Sequence, residues 1–172
     1  MNLGHSQNWK IYVYTDAALA NLCDGVSSMG AHLVLLVALN GRCSVLDWQA
    51  KKIRRVVTST LEAETLSLQE GVENAIFHRL MIEDILCLPE KSLRVEAIVD
   101  NQDTVDAVHS TKAVTSKILR LNIGVLKDKL QREEITLIRW CEGAKQLANC
   151  MTKRRASGLS LLDVIRNGYL YE

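Results

Sequence analysis

Between Lys10 and Trp48 three β-rich runs follow one another with only short turns between them, and this spacing constrains the fold more than any other feature of the chain. The first, Lys10 to Thr15 (KIYVYT), is stopped by Asp16; the second spans Ala31 to Leu39; the third returns from Arg42 to Trp48. Valine, isoleucine and tyrosine fit a pleated, half-buried surface. The turn-rich NLCDGVSS (21–28) and the pair Asn40-Gly41 separate the runs, and Asn-Gly accepts the positive φ angles of a tight hairpin. Strands joined this closely must pair antiparallel, because a parallel return needs a crossover of about a dozen residues or more.

A different period takes over at Ser59. Ser59-Thr60-Leu61-Glu62 fits a capping box, with Ser59 as N-cap and Glu62 reaching back to its backbone N–H. Leu61, Leu68, Val72, Ile76 and Leu80 then recur at helical spacing, which predicts a long amphipathic helix to about Leu86 before Pro89 ends it. Leu93 to Val99 reads as a fourth strand, closed by Asp100; Asn101 to His109 and Val114 to Gln131 read as helices, and Ile135 to Trp140 as a fifth strand. The helices between the fourth and fifth strands predict a parallel pair joined by a right-handed crossover. Gln146 to Lys153 and Leu159 to Ile165 close the chain as short helices. The order is that of an α/β fold with a mixed five-stranded sheet, three antiparallel strands followed by two parallel ones, flanked by helices.

At 172 residues and 48% hydrophobic content, the chain builds one compact core and is too short for two. Residues 1–8 read as the remnant of a connecting segment and 9–172 as a single domain whose last helix lies at about 159–166. Twenty-one basic residues against twenty acidic ones give no global field that would mark a nucleic-acid binder. Five cysteines without a CxxC pair read as reduced thiols of an intracellular protein, and they exclude a zinc site of the usual spacing. No apolar stretch approaches the roughly 20 residues that span a bilayer, and the amino terminus lacks a signal peptide's apolar run. The expected location is cytoplasmic, nuclear or particle-borne.

Asp16 and Asp100 share one feature: each directly follows an apolar strand. Carboxylates at strand ends can converge at one edge of a sheet. At an effective dielectric of about 20, two unit charges about 4 Å apart repel by roughly 4 kcal/mol, so a bare cluster protonates or splays. A cluster that persists calls for a hard divalent cation, and all-oxygen ligation points to magnesium. Taken singly, each aspartate could equally cap a turn. Glu62 and Glu64 compete for a third place. Glu62 is employed at the helix start, whereas Glu64 is turned about 200° around the axis and is free to face elsewhere, so Glu64 is the choice.

The segments VYTDAA (13–18), STLEAETLSL (59–68), VDNQ (99–102), HSTK (109–112) and QLANCMTKRRAS (146–157) together resemble, in order and spacing, the ribonuclease H domain at the carboxyl end of the polyprotein of copia-type LTR retrotransposons. The similarity covers roughly residues 9 to 165. It implies a ribonuclease H-like fold and hydrolysis of the RNA strand of RNA–DNA hybrids, beside a reverse transcriptase domain of the same polyprotein. It further implies two Mg²⁺ ions, with Mn²⁺ able to substitute, held by an Asp-Glu-Asp-Asp set. Asp16, Glu64 and Asp100 match the first three places. The family pattern at the fourth reads like QLADxLTK, and here Asn149 stands where that aspartate is expected. An amide oxygen can ligate a hard cation but brings no charge, so weaker metal binding and a lower rate are expected. Drift, engineering or decay would each leave such an asparagine. Where cellular ribonucleases H carry a histidine before the last acid, this chain has Glu142 to Lys145, and Lys145 is the electrostatic candidate there.

Backbone phosphates reward individual lysine and arginine contacts. Lys51, Lys52, Arg54 and Arg55 precede the long helix, Lys112, Lys117 and Arg120 follow Asp100, and Lys153, Arg154 and Arg155 follow Asn149. Asn21, Asn101 and Gln102 are candidates for minor-groove contacts to 2′-hydroxyls. Trp48 and Trp140 are read as packing residues, His32 as a structural histidine, and His109 as either a helix-end residue or a phosphate neighbour. Two other functional classes fit the same residues: a hybrid-binding module that has lost efficient chemistry through Asn149, and another nuclease of the same fold acting on a different substrate.

Overall fold

The computed structural model describes residues 9–23, 25–111, 114 and 116–170. The expected linker, residues 1–8, and the candidate Lys112 lie outside the described residues. The elements are β1 (Trp9–Ala18), β2 (Met29–Ala38), β3 (Cys43–Lys52), α1 (Thr60–Ile85), β4 (Arg94–Val99), α2 (Gln102–His109), α3 (Lys117–Gln131), β5 (Leu137–Trp140), α4 (Asn149–Thr152) and α5 (Leu159–Asn167). The single sheet has the order β3-β2-β1-β4-β5. β1, β2 and β3 form the antiparallel meander, and β1, β4 and β5 run parallel.

Side-chain alternation along β1 divides the core into two layers. Ile11 and Val13 face α1, α2 and α3, where Leu68, Val72, Ala75, Val108 and Leu126 are buried with Val95, Ala97 and Ile138. Tyr12 and Tyr14 face the other way, onto Leu147, Ala148, Val164 and Leu170. Each fully buried aliphatic side chain in these layers contributes about 1.5–3 kcal/mol relative to exposure.

Four expectations are corrected. First, β1 does not stop before Asp16. Asp16, Ala17 and Ala18 remain paired with Ala31, Gly30 and Met29, so Asp16 is a strand residue; only Asp100 follows its strand. Second, Leu80 is exposed, and the buried stripe of α1 continues instead through Arg79 and Glu83. These two form a buried ion pair (Nε to Oε2 3.8 Å); further hydrogen bonds satisfy Glu83 and Arg79 Nη1, while Arg79 Nε is left without a hydrogen-bond partner among the described residues. Glu83 accepts from the backbone of Lys91 and Leu93, which fixes the entry to β4, and Arg79 donates to the carbonyl of Glu134 ahead of β5. Third, Glu62 caps one residue further back than expected. Ser59 Oγ accepts from Glu62 N as predicted, but the Glu62 carboxylate takes the N–H and hydroxyl of Thr58. The predicted helix at 146–153 is also shorter, a 3₁₀ turn at Gly143–Lys145 followed by the single turn of α4. Among the described residues no helix is long and apolar enough to cross a membrane.

Gly71 marks the closest approach of α1 to the sheet. A Cβ there would collide with Thr15 Cγ2 and lie 3.0 Å from His32 Cβ and 3.1 Å from Val13 Cγ2. In an open helix, glycine to alanine gains about 1 kcal/mol of propensity; here overpacking, which typically costs about 1–3 kcal/mol, opposes it. Gly71→Ala is expected to lower the unfolding free energy by about 1–2 kcal/mol in urea titration. A variant as stable as the parent would contradict this approach.

Candidate metal centre

β1 and β4 lie side by side and parallel, while the chain leaves β1 toward β2 and leaves β4 toward β5 through α2 and α3. Opposed connections open a crevice at the carboxyl ends of the two strands, the usual place for a ligand in an open α/β sheet. Asp16 stands in that crevice from β1, Asp100 from the end of β4, and Glu64 from the second turn of α1. One carboxylate oxygen of each lies within 4.8 Å of the others. Asp16 is 0% and Glu64 3% exposed, and the Asp100 side chain is largely covered.

Several contacts hold this geometry. Gln146 Nε2 donates to the carbonyls of Thr15 (3.1 Å) and Ile98 (3.2 Å), tying the ends of β1 and β4 together. Its Oε1 accepts from Ala148 N, which positions the start of α4. Ser67 Oγ donates toward the carbonyls of Asp16 and Ala31 (2.9 and 3.0 Å), fixing α1 to β1 and β2. Thr152 Oγ1 donates to Asp16 Oδ2. Lys153 Nζ reaches Asp16 Oδ1 at 3.0 Å and Asp100 Oδ2 at 3.4 Å, and it also contacts Asn149 Oδ1. Asn149 Nδ2 donates to the carbonyl of Gly143 (2.7 Å). The Gly143 backbone packs between this amide and Asp100, since a Cβ on it would lie 3.6 Å from Asp100 Oδ2 and 3.7 Å from Asn149 Nδ2. Asn149 therefore borders the carboxylates.

The electrostatics reflect the crowding. Burial, with the neighbouring charges of Asp16 and Asp100, pushes the Glu64 carboxyl up to about 9, against a hydrogen bond from the backbone of Ala17. Burial also raises Asp16, partly offset by the Thr152 hydroxyl and Lys153. Burial alone would lower Lys153, but hydrogen bonding to Asp16 and the charges of Asp16, Asp100 and Glu64 outweigh it and hold the ammonium above its ordinary range. Glu64 Oε2 is buried without a hydrogen-bond partner among the described residues. An orphaned carboxylate oxygen beside two more carboxylates fits a hard cation, which would satisfy that oxygen and reverse the upward shifts. The donor set accordingly fits a divalent metal.

The basic candidates divide. Lys51, Lys52, Arg54 and Arg55 line a depression of about 420 Å³ along α1, together with Ser67, Glu70 and Asn122. Lys51 is paired with Glu70. Asn122 Nδ2 is buried and without a partner among the described residues. Lys153, expected at a phosphate, has its ammonium among the carboxylates. Asn21 Nδ2 donates to the carbonyl of Thr152 (2.6 Å), placing it at the edge of the site. Asn101 caps α2 by accepting from Thr104, and Gln102 donates to Asp106 one turn on, so the structure gives both residues local work. Arg120 holds the carbonyl of Val114, and Lys117 is exposed at the start of α3. Lys145 lines a cavity of about 390 Å³ with Tyr14, Cys141 and Asp163, beside the second core layer. His109 Nε2 lies 3.2 Å from the Ile138 carbonyl, the helix-end alternative. Trp48 stays on the rim, and Trp140 Nε1 donates to the carbonyl of Asp100. Sequence reading missed Gln146, Thr152, Ser67 and Asn122. The first two lie in the same QLANCMTK segment as Asn149, where an amide and a hydroxyl spaced around a short helix were the available signal.

If this centre takes a divalent cation, a hundredfold excess of Mn²⁺ over its dissociation constant stabilises the chain by about 2.7 kcal/mol, at about 2–4 °C per kcal/mol for a chain of this size. Glu64→Gln, which puts a neutral isostere in place of a carboxyl that is already protonated at neutral pH without metal, is expected to melt in chelator about where the parent does and to lose most of that rise. Differential scanning fluorimetry with and without Mn²⁺ checks both; a full metal response in Glu64→Gln would remove Glu64 from the ligand set.

The sequence matches no family model and no curated protein. Solved structures do match. A ribonuclease H1 isolated from compost by a metagenomic approach (LC11) superposes with a TM-score of 0.60 at 18% identity, covering 84% of this chain and 94% of that one. The same enzyme in complex with an RNA/DNA hybrid gives 0.56 at 17%, covering 84% and 95%. The foamy viral protease-reverse transcriptase in complex with dsDNA gives 0.56 at 12%, covering 86% and 94%. At these identities the likeness establishes architecture, and with the strand order and layers above it shows that this chain has the ribonuclease H-like fold.

Proposed function

We propose that the protein is a metal-dependent endonuclease that cleaves the RNA strand of RNA–DNA hybrids. The observation that carries this reading is the buried convergence of Asp16, Glu64 and Asp100 within 4.8 Å at the carboxyl ends of adjacent parallel strands, with one Glu64 oxygen left unsatisfied. Asp16, Glu64 and Asp100, with the amide oxygen of Asn149, would hold two Mg²⁺ ions, and Mn²⁺ would substitute. Such ions supply a water nucleophile at neutral pH and stabilise charge on the leaving oxygen. No nucleophilic serine or cysteine is needed.

The chain's own residues supply position and field. Thr152 and Lys153 hold both oxygens of Asp16, Gln146 locks the strand ends beneath it, and Ser67 keeps α1 in register. Lys51, Lys52, Arg54 and Arg55 would meet backbone phosphates along the depression. Asn21 lies near enough to the site to meet a 2′-hydroxyl. Support for the hybrid as substrate comes from the fold shared with a ribonuclease H1 whose structure contains an RNA/DNA hybrid. The setting we favour is a copia-type retrotransposon polyprotein with a reverse transcriptase domain as neighbour, on the strength of the five sequence segments.

A second reading, a hybrid-binding module with impaired chemistry, is favoured by one observation: an amide and an ammonium, Asn149 and Lys153, stand in the centre where carboxylates and metal would otherwise meet. Cleavage of an end-labelled hybrid in Mg²⁺ or Mn²⁺ separates the two. The parent chain is expected to cut hybrid and to spare duplex DNA, and Asp16→Asn to reduce cutting to background. Asn149→Asp is expected to lower the metal concentration for half-maximal rate by about tenfold, the effect of ~1.4 kcal/mol. Hybrid binding without cutting in either metal would select the module, and cutting confined to DNA would select another nuclease of the fold.

A further inference from the structure

Both oxygens of Asp16 are already engaged, Oδ2 by the Thr152 hydroxyl and Oδ1 by the Lys153 ammonium. The ammonium has three protons, and three acceptors surround it: Asp16 Oδ1, Asp100 Oδ2 and Asn149 Oδ1. It thus bridges the carboxyl ends of β1 and β4 and the start of α4, the three elements a divalent ion between Asp16, Asp100 and Asn149 would also have to bridge. Glu64 stands apart from this arrangement, with its own oxygen orphaned. The centre therefore has two unlike halves, one lined by an unsatisfied carboxylate and one filled by a cation on a tether.

Resting on the metal-binding reading above, we propose that Lys153 is a built-in counter-cation that competes with metal for the Asn149 side of the centre, so that the chain alone takes one divalent ion, at Glu64, and admits a second only when Lys153 turns outward. Two features make the exchange feasible. The Lys153 side chain is 44% exposed, so a flexible four-carbon stem can carry its compact charge into solvent or onto a nucleic-acid phosphate. The orientation of Asn149 also matches the lysine. Its oxygen faces the ammonium while its Nδ2 donates to the Gly143 carbonyl; an aspartate in the same pose would direct its second oxygen at that carbonyl, acceptor against acceptor. Asparagine and lysine one helical turn apart are thus in direct contact; the family pattern carries the same lysine, so the change at this place is the lost carboxylate charge alone.

The test counts Mn²⁺ ions by electron paramagnetic resonance on the full chain without nucleic acid, beside Lys153→Met and Lys153→Gln. The parent is expected to bind one ion tightly. Each variant is expected to bind two, the second on the order of tenfold tighter than any second site of the parent, because a unit charge is removed from contact distance. A further measurement needs no variant: titrated with Mg²⁺ without substrate, the Nζ resonance of Lys153 in the parent should hold while the first ion binds and move only as a second enters, since the ammonium must leave its acceptors for that ion. Equal stoichiometry and affinity in parent and variants, or a second ion bound to the parent with the Lys153 resonance unmoved, overturns the proposal while leaving the nuclease reading intact. Absence of any bound Mn²⁺ in all three chains overturns the metal-binding reading itself.

Discussion

The parallel pairing of β1 and β4 forces acidic side chains together at one edge of the sheet, and the rest of the centre is organised around that repulsion. Tyr14 sits opposite Ile98 in the ladder, so Asp16 and Asp100, each two residues further on, emerge close together. No choice of rotamer alone can separate groups whose backbones are held this way. The chain meets the charge by burying one carboxyl high in its titration range, Glu64, by giving Asp16 a hydroxyl and an ammonium, and by leaving one oxygen unsatisfied. A buried arrangement with an unmet acceptor is costly to fold, and a ligand that supplies positive charge recovers that cost.

Rigidity around the centre comes from close backbone approaches rather than from large side chains. Gly71 lets α1 settle against Thr15 and His32, and Ser67, one turn earlier, bonds the carbonyls of β1 and β2. Gln146 performs the same task between β1 and β4. Small shifts at any of these points would move Asp16 directly, because Thr15 and Asp16 are adjacent on the strand that all of them touch. At the far end of α1, Arg79 and Glu83 anchor the entries to β4 and β5, so the helix is pinned at both ends.

Periodicity made the elements legible. Runs of β-formers in KIYVYT and from Ala31 to Leu39 marked strands, and the Ser59 cap marked the helix start, because these depend on neighbours in sequence. The mixed sheet was reached through the element order, and the meeting of Asp16, Glu64 and Asp100 through motif order and the principle that acids at strand ends can converge; the pairing of β1 with β4 was not. What sequence could not give is which polar residues satisfy one another across the fold. Arg79 and Glu83 carry no sequence signal of burial, because nothing local reveals that the loop at 91–93 and the carbonyl of Glu134 wait for them. Asn101 looked available because its cap on Thr104 depends on the turn that β4 makes at its end. Lys153 looked like a phosphate contact because a basic run, KRR, reads as one surface, whereas a single helical turn in α4 aims its first member inward.

α1 separates the chemistry from the grip. Glu64, Leu68, Val72 and Ala75 lie on the stripe that faces the sheet, and Leu66, Gln69, Glu70 and Glu73 lie on the neighbouring stripe that borders the basic depression. Ser67 belongs to both. A chain with a formal net charge of +1 has no long-range field to gather a polyanion, and Glu70 and Glu73 further dilute the local one. In the proposed function, binding along this face would therefore depend on short-range contacts such as those of the arginines at 54 and 55. Because the same helix carries Glu64 at one turn and the depression at the next, a phosphate drawn into the depression in the proposed complex would fix the register of the strand over the carboxylates. The distance between grip and centre would then be set by a rigid helix, which would make position along the nucleic acid a property of the fold rather than of flexible side chains.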